Sequence, residues 1–269
     1  MRRMFLALVA LAFAAGDGAH AAPRIVSLDQ CADQYVLALA PRGEIAGLSK
    51  RALNDDSYLR AQAAGLPQVR QTLESVLGAR ATIAVTYWTA DARLPEALRR
   101  RGVQVVQIDE AADFPGVRAD VRKVSAALGQ PAAGEGLVAR MDASLRRSQG
   151  AWGGARALYL TPGGFTAGPD TLVGAMLAAA GLVSATPAAS YAPVSLESLV
   201  MRPPAALVLG FFRDLDGGRQ HWTIAGSGYL RGLVRDRAIA SLPGSVLGCP
   251  AWFAADGAAA LAAARPKIG

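Results

Sequence analysis

The chain has 269 residues, 52% of them hydrophobic and 18% charged, with 28 Lys plus Arg against 21 Asp plus Glu. That balance excludes a disordered chain, and the length with only two cysteines excludes a disulfide-stapled mini-protein. The positive excess is almost all arginine and no basic run exceeds Arg99-Arg100-Arg101, so the charge is dispersed and forms no nucleic-acid stripe.

Met1 to Ala21 reads as a secretory signal. Arg2 and Arg3 form a charged start, Met4 to Ala15 an apolar stretch too short to span a bilayer, and Ala19-His20-Ala21 a small-residue cleavage site. Cleavage after Ala21 leaves an exported chain with one histidine, His221. An oxidising compartment permits a bridge between Cys31 and Cys249, and two separately buried thiols are the alternative.

Arg24–Leu28 predicts a strand, followed by helical spacing through Tyr35 and Leu39, and Glu44–Leu48 a second short strand. Thr72 caps a short helix running to Arg80, Thr82–Thr86 is an apolar strand, Leu94–Arg101 a helix stopped by Gly102, and Val103–Ile108 a strand. Val117, Val121, Val124 and Leu128 share one helical face. After Gly129-Gln130-Pro131, a second face of Leu137, Met141 and Leu145 runs to Ser148. Beyond the Gly-rich break at 149–154 the alternation resumes. Ala157–Leu160 is a strand, Thr171–Ala180 a helix, Ser195–Met201 a short helix and Ala205–Leu209 a strand. Tyr229–Ile239 is a helix, Ser245–Leu247 a short strand and Ala254–Ala264 a closing helix. This order predicts two α/β lobes with parallel sheets joined by a helical spine.

Signs of catalysis are thin. The chain has no dinucleotide fingerprint, phosphate-loop lysine, zinc-protease helix or nucleophile elbow, and one mature histidine leaves no histidine metal cluster. Pro162–Phe165 reads as a tight strand-to-helix turn. The aromatic residues gather after strands: Tyr87 and Trp88, Phe165, Phe211 and Phe212, and Trp252 and Phe253. Loops at the carboxyl ends of parallel strands line ligand crevices, so these positions are candidate cleft residues, with core packing as the alternative. Arg213 sits at a similar strand end and suits an anionic group. Trp222 adjoins His221. Glu74 and Glu197 recur in matching Leu-Glu-Ser segments of the two halves. They read as first-turn acids favoured by the helix dipole, or as one docking charge on each lobe for a basic partner.

Arg24-Ile25-Val26-Ser27-Leu28 followed by Cys31-Ala32-Asp33-Gln34 resembles the opening of periplasmic binding proteins of cobalamin, iron–siderophore and haem importers. The two Leu-Glu-Ser segments, Val103–Asp109 and Leu160–Thr171 continue the resemblance over nearly the whole mature chain. Where the family has Pro-Asp entering the next strand, this sequence has Ala81-Thr82 and Pro203-Pro204. The resemblance implies an N-terminal lobe over 22–112, a rigid helical backbone over 113–150 and a C-terminal lobe over 151–269, with the ligand between the lobes. It also implies that Glu74 and Glu197 dock on arginines of an inner-membrane ABC permease. The expected protein is a monomeric periplasmic solute-binding component with no catalytic residues, resident metal or cofactor. Its ligand is a metal chelate: iron–siderophore first, corrinoid second, haem third. The expected ligand contacts are Asp29, Gln30, Tyr87, Trp88, Phe165, Phe211, Arg213, Trp222 and Trp252. A Cys31–Cys249 bridge would tie the lobes at the cleft and restrict opening. The alternatives are an exported α/β hydrolase using Ser227 or Asp170, and a periplasmic carrier that works without a permease.

Overall fold

The computed structural model describes residues 22–211 and 228–265. The expected signal segment, Arg213, His221, Trp222 and Ser227 therefore lie outside the described residues.

The N-terminal lobe alternates strand and helix. It comprises β1 (Ile25–Ser27), α1 (Gln30–Leu39), β2 (Ile45–Gly47), α2 (Arg60–Ala63), α3 (Leu73–Gly78), β3 (Ile83–Thr86), α4 (Leu94–Arg99) and β4 (Gln104–Gln107). The four strands form a parallel sheet in the order β2-β1-β3-β4. Successive residues point to opposite faces, and both faces are covered. Ile25, Ile83 and Val85 enter the main core, while Val26 and Ala84 enter a satellite core with Leu94 and Leu98.

The spine is α5 (Phe114–Ala127) and α6 (Pro131–Ser148). Asp113 caps α5 by accepting from Gly116 N at 2.8 Å, and prolines occupy the first turns of both helices. Gly134 lets the pair close up, because a Cβ there would lie 2.1 Å from Ser125 Oγ. A half-buried Arg118–Asp142 pair at 2.6 Å links the helices.

The C-terminal lobe contains β5 (Ala155–Leu160), β6 (Phe165–Ala167), α7 (Leu172–Ala179), β7 (Leu182–Ser184), β8 (Tyr191–Pro193), α8 (Leu196–Met201), β9 (Ala206–Gly210), α9 (Gly228–Arg237), β10 (Ala238–Leu242), α10 (Gly244–Leu247) and α11 (Ala254–Ala263). Its main sheet is parallel in the order β10-β9-β5-β7, and β6 and β8 pair separately as an antiparallel ribbon. Two sequence expectations change here. The short strand expected at Ser245–Leu247 is one turn of helix following Pro243, and the fourth strand lies at Ala238–Leu242, where the preceding helix was expected to end. Sheet pairing with β9 decides this, since β10 buries Leu242 and takes its register from Leu207 to Gly210. Pro162–Phe165 is a strand-to-strand turn into β6: Gly164 N donates to Thr161 O, and Gly164 adopts φ +78.

One continuous core runs from Ile25 and Tyr35 through the inner faces of α5 and α6 to Leu172, Phe253 and Leu261. The lobes are thus fused along the spine side, with a cleft at the carboxyl ends of the strands. Asp33 sits inside this frame, accepting from the Ser27 hydroxyl, from Ser49 N at 2.8 Å and from Ser49 Oγ at 2.6 Å. Burial outweighs these bonds and holds its carboxyl up at about 6. Between about pH 4 and that value the folded chain keeps a proton that the unfolded chain has released. This group's contribution to stability is therefore full below the window and lost as pH rises through it. Asp33→Asn removes the titration. The difference in urea midpoint between wild type and Asp33→Asn should change from pH 4 to 6 and level off by pH 7; a difference that is constant throughout contradicts the assignment.

Candidate functional site

The cleft wall is built on a carboxylate. β1 and β3 are parallel neighbours, so the residues following them emerge side by side. Asp29 follows β1 and caps α1, its Oδ1 accepting from Cys31 N and Ala32 N at 3.0 Å each. Its Oδ2 accepts from Tyr87 N at 2.6 Å, Thr86 Oγ1 at 3.1 Å and Trp88 N at 3.2 Å. Both oxygens are thereby committed to holding the Tyr87-Trp88 turn against the start of α1. Gln71 secures the same turn from outside, donating to Trp88 O at 2.7 Å and accepting from Ala90 N at 2.8 Å.

In front of this wall lies a cavity of about 510 Å³ between the lobes. From the N-terminal lobe, Asp29, Gln30, Lys50, Gln71, Tyr87 and Trp88 line it; Phe211, Gly248 and Cys249 line it from the C-terminal lobe. Trp88 is 63% exposed. Arg51 is paired with Asp56 at 3.1 Å, whereas Lys50 has no ion pair among the described residues. Phe211 occupies φ +63, a conformation a bulky side chain rarely adopts, and its N–H donates to Leu242 O at 3.2 Å. The glycine before it is required, since a Cβ on Gly210 would lie 2.1 Å from Tyr159 Oη.

Cys31 and Cys249 form a disulfide with Cα atoms 5.3 Å apart, so a covalent bond crosses between the lobes at the cavity wall. The segment after Cys249 is fixed to the N-terminal lobe by further contacts. Tyr35 donates to Pro250 O at 2.7 Å, Tyr58 stacks on Phe253 at 4.2 Å and donates to Asp256, and Trp252 meets Tyr35 edge-on at 5.4 Å.

Of the residues expected at the ligand, the structure gathers Asp29, Gln30, Tyr87, Trp88 and Phe211 around one cavity. Phe165 stands exposed on the β6–β8 ribbon, outside that lining. Trp252 packs at the junction of the lobes, because the segment before it is a helical turn and not a strand end. Sequence reasoning missed Lys50 and Gln71, which sit in loops without a recognisable pattern. It also missed Glu110, which accepts from the Tyr87 hydroxyl. Burial first, then the Glu110 contact, pushes the Tyr87 hydroxyl far above its ordinary range. The hydroxyl of Tyr191, on β8 in the other lobe, is also raised, by burial and then by the charge of Glu110.

Glu74 and Glu197 are exposed in the first turns of α3 and α8. Thr72 caps the first of these helices at 3.3 Å and Ser195 the second at 3.2 Å. Neither carboxylate has an ion pair among the described residues.

The chain thus has two parallel α/β lobes on a helical spine with an aromatic cavity between them, a fold it shares with solved periplasmic binding proteins. No protein-family model matches the chain, and no curated protein does. Solved structures do match. The periplasmic heme binding protein HutB of Vibrio cholerae has TM-score 0.73 at 19% identity, covering 88% of this chain and 96% of that one. A periplasmic heme binding protein from Pseudomonas aeruginosa has TM-score 0.68 at 24% identity, covering 90% and 91%. The periplasmic vitamin B12 binding protein BtuF of Vibrio cholerae has TM-score 0.63 at 17% identity, covering 90% and 95%. Each of these is described as a periplasmic binding protein.

Proposed function

We propose that the chain is the periplasmic binding component of an ABC importer for a tetrapyrrole metal chelate, haem or a corrinoid, which it holds between its lobes and delivers to an inner-membrane permease. The observation that carries this reading is the inter-lobe cavity, with Tyr87, Trp88 and Phe211 as apolar and aromatic surface and Lys50 as a cation with no ion pair among the described residues. Flat aromatic walls suit a planar conjugated ligand, and an ammonium suits its carboxylate or phosphate arm. The volume falls within the usual range for small-molecule sites. The similar structures described as heme- and B12-binding support tetrapyrroles, so iron–siderophore moves from first choice to third. Glu74 and Glu197, one exposed carboxylate on each lobe, would register the protein on basic residues of the permease.

The test is tryptophan fluorescence of the purified protein titrated with haemin, cobinamide, cobalamin and a ferric siderophore panel. Saturable quenching by a tetrapyrrole is expected, with Trp88→Ala weakening binding about tenfold. Saturation by a ferric siderophore alone, or Trp88→Ala binding as tightly as wild type, would overturn the assignment.

A further inference from the structure

We propose that the exposed face of α8 is an apolar docking foot for the periplasmic surface of a membrane-embedded permease subunit, and that this face, more than the Glu197 charge, supplies the affinity of that contact. The proposal rests on the importer reading above. Helices α3 and α8 begin with the same Leu-Glu-Ser, carry the same hydroxyl cap, and bury their fourth residue, Val76 in one and Leu199 in the other. What the fold asks of the two is therefore alike.

They differ in what they leave in water. At 3.6 residues per turn, Leu196, Val200, Glu197 and Met201 fall within an arc of about 140°. Leu196 is 42% exposed, Val200 57% and Met201 75%. On α3 the matching Leu73 and Leu77 pack against the satellite core of their lobe, and the place of Met201 is taken by Gly78. The surroundings differ in the same sense. Beside α8 runs a groove of about 890 Å³ that includes Pro193, Val194, Leu199 and Met201, with Arg156 and Arg202 at its sides. Thr166 also lines it, and its buried hydroxyl has no partner among the described residues. The hollow beside α3, about 650 Å³, is lined only by Lys50, Gln68, Arg70, Thr72, Glu74 and Ser75.

A contiguous exposed apolar face of this kind marks an interaction surface. The carboxylate in its middle, which has no ion pair among the described residues, selects the partner: a cationic side chain set among apolar ones, which a membrane protein presents at the bilayer boundary. A second copy of this chain fits poorly, since a two-fold contact would place Glu197 against Glu197. The two feet then divide the work, the C-terminal one giving salt-resistant affinity and the N-terminal one salt-sensitive register.

The experiment places the photo-crosslinker p-benzoylphenylalanine at position 201, or at position 78, in the full protein. The protein is then illuminated with right-side-out membrane vesicles from cells that make it. The expected result is an adduct between residue 201 and a polytopic ABC permease subunit that survives about 0.5 M salt and falls about tenfold with Val200→Ser, while the residue-78 adduct is lost in salt. The proposal is overturned if the 201 adduct is as salt-sensitive as the other, ignores Val200→Ser, joins two copies of this chain, or does not form. Haemin titration of the same variants separates the two readings. An absent adduct with normal haemin binding removes the foot alone, and a robust adduct with no tetrapyrrole binding removes the ligand assignment alone.

Discussion

Replacing Cys31 and Cys249 together by serine should lower the unfolding free energy by about 4 kcal/mol and the thermal midpoint by roughly 10 °C. The bridge spans 218 residues, so its loss frees a large loop in the unfolded chain. The variant should still fold, because the Tyr35–Pro250 bond and the Tyr58–Phe253 stack continue to hold the last segment against the first lobe. The cavity side is a different matter. Both cysteines line it, so once the bond is gone the walls separate more readily and bound haemin should leave several-fold faster, with a smaller effect on the rate of capture. Urea unfolding followed by circular dichroism, with and without reductant, and haemin dissociation by stopped flow test both parts. Superimposable unfolding curves would show that the packed junction alone sets the stability.

Asp29→Ala is expected to cost about 3–4 kcal/mol and to weaken haemin binding more than tenfold. The side chain accepts from two amides of α1, two amides of the Tyr87-Trp88 turn and one hydroxyl. Its loss removes a helix cap and leaves four part-buried donors and one exposed donor without their acceptor. Asp29→Asn keeps one acceptor oxygen and turns the other position into a donor facing donors, so it should recover the cap but not the turn. The predicted pattern is a partial rescue of stability with little rescue of affinity. Full rescue of both by asparagine, or a stability loss from alanine with unchanged haemin affinity, would mean that Asp29 does not position the aromatic wall.

The expected signal peptide lies outside the described residues, but much of the fold was legible because its central strands are buried on both faces. Ile83–Thr86 and Ala157–Leu160 are continuous apolar runs, and Thr72, Asp113 and Thr171 are readable caps. The end of the second lobe was misread because Ala238–Leu242 has small, weakly patterned residues whose strand character comes from β9 beside it. The β6–β8 ribbon pairs residues about 26 apart, and nothing local announces it. At the site, aromatic residues after strands were visible, whereas Lys50 and Gln71 reach the cavity only because two loops fold over the same strand ends. Asp29 itself carried a readable signal, an acid immediately before a helix. That its second oxygen caps the end of another strand is a tertiary fact no spacing encodes.

The disulfide also sets a clock on biogenesis. Cys31 leaves the ribosome 218 residues ahead of its only partner in the chain, an interval of roughly 10 to 40 s at ordinary synthesis rates. Throughout that interval Cys31 has no partner within its own chain. With only two cysteines, no wrong pairing within one chain can form, so the hazard is confined to capture by another molecule. Oxidation is therefore a late seal on a nearly finished molecule, and supply of oxidant should govern the yield of sealed protein more than the rate at which its lobes fold.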